Sequence, residues 1–235
     1  MSGGWTRKRF WDNATVTGAP DGYLIELDGR RVNTPAKRPL LVPTRRMALA
    51  IAGEWAAQGD IIAPLTMPVT RSANAAIDKV AVQREEVAAL IAAYGDADLL
   101  CYRAEAPEEL VRRQSEAWDP PLFWAAETLG AALEPRTGVI HAPQPQAALD
   151  ALSGRVHGYD AFRLAALHDL VSLTGSLVLG LAAALDWRDA DDIWRRSLVD
   201  EHWQQAQWGA DSEEIAREAM REAAFRHARD FFDMC

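Results

Sequence analysis

Side-chain chemistry needs groups that carry protons, attack carbonyls or hold metals, so the five histidines, two cysteines and clustered carboxylates of this 235-residue chain come first. His141, His157, His168, His202 and His227 form no His-Glu-x-x-His pair and fall in no metal-ligand spacing with a cysteine or an acid. His168 adjoins Asp169 and reads as an ordinary hydrogen-bonded histidine. Cys101 is flanked by apolar groups and reads as an inert buried thiol. A nucleotide site would need a phosphate cradle, and the nearest spacing is Gly175-Ser-Leu-Val-Leu-Gly180. Leu181 stands there where the phosphate-binding lysine belongs, so those glycines are expected to permit close helix packing. Asp96 and Asp98 follow Gly95 as a turn, while Asp189, Asp191 and Asp192 sit in the first turn of a predicted helix, where carboxylates cap free N–H groups. These residues predict no catalytic site, no metal and no cofactor.

The unusual chemistry is aromatic. The chain has nine tryptophans, and Trp187, Trp194, Trp203 and Trp208 are crowded into its last quarter. At 100° per residue, a helix over 193–208 places Trp194, Leu198, Glu201, Gln205 and Trp208 in one stripe, with Trp203 opposite and Ile193, Ser197, Asp200 and Gln204 alongside. Two readings follow for Glu201: a half-exposed acid at the edge of the core, or part of a binding patch in which aromatic anchors stand beside acidic and amide groups. Phe225 and Phe232 in the last helix belong to core or to patch on the same argument.

The elements that must carry these residues change character along the chain. The first 43 residues read as a meander of antiparallel strands with Asp21-Gly22 and Asp28-Gly29 as turn dipeptides, and Pro35, Pro39 and Pro43 punctuate its exit. From Thr44, an N-cap, the period becomes helical. Helices are predicted near 44–58, 70–79, 83–94, 107–118, 121–129, 144–153, 160–185 and 189–207, with a last one opening at Asp211 through a capping box with Glu214. The fold class is α+β, with a β-rich N-terminal domain over 1–66 and a larger α-helical domain over 67–235.

Composition narrows the function classes. Apolar residues at 49% and charged residues at 25% exclude disordered and disulfide-stapled proteins. Two cysteines in no framework fit a reducing compartment, so a cytoplasmic location is expected. The basic start, Met1 to Arg9, leads into no apolar stretch and is not a secretory signal. The uncharged run between Asp169 and Asp186 falls short of the roughly 20 apolar residues of a membrane span and reads as a buried core helix. Charge is uneven: residues 1–60 are net +3 and the remainder net −12. A chain so acidic should repel nucleic acid and anionic membranes, which makes a protein the expected partner and a monomer the expected state. A nucleic-acid binder would have to use Arg30, Arg31, Lys37, Arg38, Arg45 and Arg46, and an enzyme would have to build a carboxylate-based site.

Several segments, taken in order, match a known family. They are Arg9-Phe-Trp11, Leu27-Asp-Gly-Arg-Arg-Val-Asn-Thr-Pro35, Glu54-Trp-Ala-Ala-Gln58, Met67-Pro-Val-Thr70 and Ala76-Ile-Asp78. They continue with Asp98-Leu-Leu-Cys-Tyr-Arg-Ala104, Gln114 to Pro120, and Asp200-Glu201-x-x-Gln204-x-x-x-Trp208-Gly209. The chain resembles the assembly chaperones of the F-type ATP synthase, which bind the free alpha subunit of the catalytic head before it joins beta. The resemblance implies a small β-rich N-terminal domain, a helical C-terminal domain, no catalysis, and an acidic residue important for chaperoning that falls on Glu201 or Asp200. With Gln204, Trp208 and Trp194 these are the candidate partner-binding residues. The chain carries no mitochondrial import segment, so a bacterial relative is expected.

Overall fold

The computed structural model describes residues 8–209 and 211–235. An antiparallel sheet opens the chain and helices form most of the rest, the α+β arrangement expected from the sequence. The residues group into two compact units. One takes the chain up to Gln83 with Asp160–Ala165 and Asp230–Cys235; the other takes Arg84–Tyr159 and Ala166–Arg229.

In the first unit, β1 (Ala14–Ala19) and β2 (Gly22–Leu27) form a hairpin, and β3 (Arg30–Arg31) and β4 (Leu41–Val42) both pair with the far side of β2. Ala19 pairs with Gly22, so Pro20 and Asp21 make the first turn, not Asp21-Gly22; in the second, Asp28 and Gly29 both have positive φ, as a two-residue hairpin loop requires. Helix α1 (Arg45–Ala56) is capped by Thr44, which accepts from the Met47 N–H at 3.2 Å, and it buries Met47, Ala48, Ile51 and Ala52. Helix α2 (Pro68–Asp78) starts with proline at its first position, where no N–H is needed. Its free N–H groups are met from α1: the Glu54 carboxylate accepts from Val69 at 2.7 Å and from Thr70 at 2.8 Å. Asp78, at its other end, accepts from Thr34 Oγ1 at 2.7 Å and the Ala36 N–H at 3.0 Å. Arg9 donates to the Trp11 and Gln58 carbonyls, and the buried Trp11 meets Trp55 edge to face at 5.1 Å.

The second unit contains α3 (Arg84–Ala92), the parallel pair β5 (Tyr102–Arg103) and β6 (Arg136–Thr137), α4 (Glu108–Trp124) and α5 (Gln146–His157). Helix α4 runs through Pro120 and Pro121, where two helices are expected from the sequence. Pro121 has no N–H for the Ala117 carbonyl, and that carbonyl accepts instead from Arg196 Nη1 at 2.6 Å, which offsets the usual cost of an interior proline. The long apolar run is two helices, α6 (Ala161–Thr174) and α7 (Leu177–Ala184). Gly175, at φ +69°, ends the first, and Ser176 caps the second by accepting from the Leu179 N–H. Every residue of α7 is buried, and a Cβ on Gly180 would stand 2.5 Å from Val171 Cγ2, so this glycine is there for close packing, as its place in an apolar helix predicts.

The chain ends in α8 (Ala190–Ser197), α9 (Val199–Trp208) and α10 (Ser212–Asp233). Asp189 and Asp211 cap α8 and α10 as expected, accepting from the N–H groups of Asp192 at 2.8 Å and Glu214 at 2.7 Å. The single helix expected over 189–207 breaks at Leu198. Ser197 Oγ donates to the Trp194 carbonyl at 2.7 Å, the acceptor Leu198 would use in a continuous helix, and the Leu198 N–H turns to the Arg195 carbonyl at 3.2 Å.

Candidate functional site

The break at Leu198 rearranges the stripe drawn from the sequence. Trp194 and Leu198 are buried, at 3% and 1% exposure, while Trp208 on α9 is 80% exposed. Glu201 is half-buried and Gln204 exposed. Trp194 packs against Phe225 of α10, with ring centroids 5.5 Å apart, and Phe225, Phe231 and Phe232 are all buried, so these phenylalanines are core.

Glu201 is joined to α10. Its two carboxylate oxygens accept from Arg221 Nη1 at 3.1 and 3.0 Å, the other arm of that guanidinium donates to the Leu173 carbonyl at 3.3 Å, and its plane lies 5.4 Å from the Trp194 ring. Arg221 therefore brings Glu201 and Trp194 into one cluster although the two do not share a stripe. One turn along, Glu218 accepts from Gln205 Nε2 at 3.3 Å, and His202 Nε2 stands 3.0 Å from its other oxygen. Burial pushes the Glu218 carboxyl up, but the hydrogen bonds from His202 and Gln205, with the positive charges of His202 and Arg221, hold the group below its ordinary value.

Asp200 points elsewhere. Its carboxylate accepts from Gln114 Nε2 at 2.7 Å, and Gln114, only 2% exposed, accepts in turn from the Ala104 N–H at 2.8 Å. Beside it Arg113 lies over the Trp203 ring at 5.0 Å. The two acids of the motif thus divide their work: Asp200 ties α9 to α4 and Glu201 ties it to α10. Gln204 and Trp208 are left facing outward. Arg221, Glu218 and Gln114 are the partners that sequence reasoning missed. A signal for the first two exists, since Glu218 and Arg221 lie three apart on the helix face that bears Phe225, but the pairing itself spans 20 residues.

The remaining reactive groups are quiet. Burial raises the Cys101 thiol to about 12, outside any nucleophilic range at neutral pH. His168 Nδ1 stands 3.0 Å from Asp169, whose hydrogen bond raises the imidazole pKa. A shallow cleft of about 290 Å³ between α4 and α8 is lined by Arg113, Glu116, Asp192, Arg195 and Arg196. Its charges are already paired, as in Arg196 Nε to Asp192 at 2.6 Å and Arg113 Nε to Glu109 at 3.0 Å.

With this geometry in place, comparison with known proteins is decisive. Residues 8–126 match the family described as ATP12 chaperone protein. The chain belongs to the ATP12 chaperone family. The crystal structure of Atp12 from Paracoccus denitrificans is 47% identical, with a TM-score of 0.94 over 97% of each chain, and an aspartate-to-lysine mutant of the same protein superposes equally well. The mitochondrial protein atp12 of Schizosaccharomyces pombe is 27% identical over 229 residues, covering 91% of this chain and 78% of that protein. ATP12 chaperones are non-enzymatic factors of ATP synthase assembly, so the alternative of a carboxylate-based enzyme falls. The family match ends two residues past α4, whereas the likeness to the Paracoccus structure covers nearly the whole chain.

Proposed function

We propose that this ATP12 chaperone captures the free alpha subunit of the F-type ATP synthase and keeps it from aggregating until beta displaces the chaperone. An unassembled subunit exposes a surface destined for burial, and such surfaces aggregate unless covered. The observation that carries the reading is Trp208, 80% exposed at the end of a helix held on both flanks by the Asp200–Gln114 and Glu201–Arg221 contacts. An aromatic anchor on a rigid support is the arrangement that dominates binding energy at interfaces. In this reading Trp208 and Gln204 touch the client, Glu201 and Asp200 set the angle of α9 and supply negative potential, and Trp194 supports the cluster from beneath. The chaperone acts as a monomer in a bacterial cytoplasm, consistent with two free cysteines and with no described helix long and apolar enough to cross a membrane. No nucleic acid enters this reading.

Coexpression with tagged chaperone tests it. Alpha alone should become soluble and copurify, and beta alone should not. Trp208→Ala should weaken capture about 30-fold, the scale of an interfacial hot spot, and Glu201→Lys should weaken it as well by opposing Arg221, both with unchanged far-UV circular dichroism. Wild-type capture by both variants would remove α9 from the interface.

A further inference from the structure

The two edges of the N-terminal sheet are treated differently by the sequence. On one side β3 and β4 are two residues each; β3 is a pair of exposed arginines, and β4 is bounded by Pro39 and Pro43. Short strands, charge and proline are how proteins keep a sheet edge from recruiting another chain. The opposite edge, β1, has none of these. It is six residues long, and the stretch from Asn13 to Pro20, Asn-Ala-Thr-Val-Thr-Gly-Ala-Pro, has no charge and no proline within the strand.

The register shows what this edge presents. The Asp28 N–H donates to the Asn13 carbonyl at 3.0 Å, which makes Asn13 and Asp28 a hydrogen-bonded pair. Hydrogen-bonded and non-hydrogen-bonded pairs alternate in an antiparallel ladder. Thr15, Thr17 and Ala19 therefore bond to Glu26, Leu24 and Gly22, while the N–H and C=O groups of Ala14, Val16 and Gly18 point away from β2. Among the described residues nothing bonds to those outward groups. The same alternation on β2 is visible directly, where the Ile25 carbonyl accepts from Val32 on the β3 side. Ala14 and Val16 share their face with the buried Leu27 and Ile25, so one face of an added strand would meet an apolar layer, and exposed Thr15 and Thr17 would border the other.

We infer that β1 is a docking edge onto which an extended segment of the captured alpha subunit adds as a fifth strand of the sheet. This rests on the alpha-subunit reading and extends it to a second contact, made by main-chain hydrogen bonds, with side chains selecting only for alternation. Asp12 and Asp21 are exposed at the two ends of the uncharged stretch and favour a segment with a lysine or arginine beyond its ends. A six-residue strand pair covers far less than the roughly 1,200 Å² of a stable standing interface, so self-pairing of two copies through β1 is too small to hold alone, whereas a contact added to a larger client interface is not.

Residue-resolved amide hydrogen exchange on the full chain, free and bound to coexpressed alpha subunit, tests the inference. The Val16 and Gly18 amides should exchange fast in the free chain and slow at least tenfold in the complex, while Thr15 and Thr17 stay slow in both. Gly18→Pro, which removes an outward N–H where a side chain has open space, and Thr15→Lys, which adds a guarding charge, should each weaken capture about tenfold at unchanged melting temperature. A complex that forms with Val16 and Gly18 still exchanging fast overturns the docking edge and leaves the α9 reading standing. Failure to form any complex overturns both. Protection in the free chain together with a dimer mass assigns the edge to a second copy instead. If Gly18→Pro does not fold, the exchange pattern of the wild-type chain decides.

Discussion

Asp98 is wholly buried and works as a double cap: one carboxylate oxygen accepts from the Leu100 N–H and the other from the Val178 N–H at the start of α7, both at 3.0 Å. Loss of water raises its pKa to about 6 against the favourable pull of those donors. The native state then binds this proton more tightly than the unfolded chain, whose aspartate titrates near 3.8. The resulting stabilisation is fully present below that unfolded value and is lost as pH rises through about 6. Asp98→Asn keeps an acceptor and removes the titration. In urea unfolding at pH 4, 5, 6 and 7, wild-type stability should fall relative to Asp98→Asn by on the order of 2 kcal/mol across this window, and a flat difference would show that the hydrogen bonds, not desolvation, set the charge state.

At the level of elements, the second unit is organised around α7 and the groups that end and start its neighbours. Arg196 shows how such joints are made: it donates to the carbonyl freed by Pro121, pairs with Asp192, and offers its own carbonyl to Trp118 Nε1 at 2.7 Å. Gly180 shows how tight they are, since Val171 leaves no room for a methyl group. Gly180→Ala gains helix propensity but should lose about 1–3 kcal/mol of stability through overpacking. Val171→Ala in the same chain should restore part of that loss, because the two sites share one contact. Additive losses in a denaturant series would place the strain elsewhere.

For the whole molecule, the proposed capture of the alpha subunit calls for surface and not a pocket. Large exposed apolar side chains occur all along the chain, among them Phe10 before β1, Phe123 on α4, Val139 and Ile140 after β6, Trp208 on α9, and Ile215 and Met220 on α10. Net charge of −9 opposes self-association. Light scattering should therefore give the monomer mass of 25.9 kDa across the micromolar range, and a concentration-dependent dimer would count against single-copy action. That family members are assembly factors and not enzymes accords with the shielded thiol and the mutually paired charges of the α4–α8 cleft.

The α+β order, the caps at Thr44, Asp189 and Asp211, the packing role of Gly180 and the family itself were all readable from residue types and local spacing. Each depends on neighbours a few positions away or on a linear pattern of motifs. The breaks at Gly175 and Leu198 are local too, made by a positive-φ glycine with its Ser176 cap and by the Ser197 hydroxyl, but a continuous apolar periodicity masked them. Tertiary structure decided the passage of α4 through its prolines, where Arg196, 79 positions away, donates to the freed carbonyl. It also decided the site. A stripe at 100° per residue assumed one unbroken helix, and Ser197 ended it; the placement of Glu201 beside Arg221, of Asp200 beside Gln114 and of Asp98 out of water joins residues 20, 86 and 80 positions apart. Helical periodicity reports which way a side chain faces along its own element, while its partner and its solvation are set by whatever packs across from it.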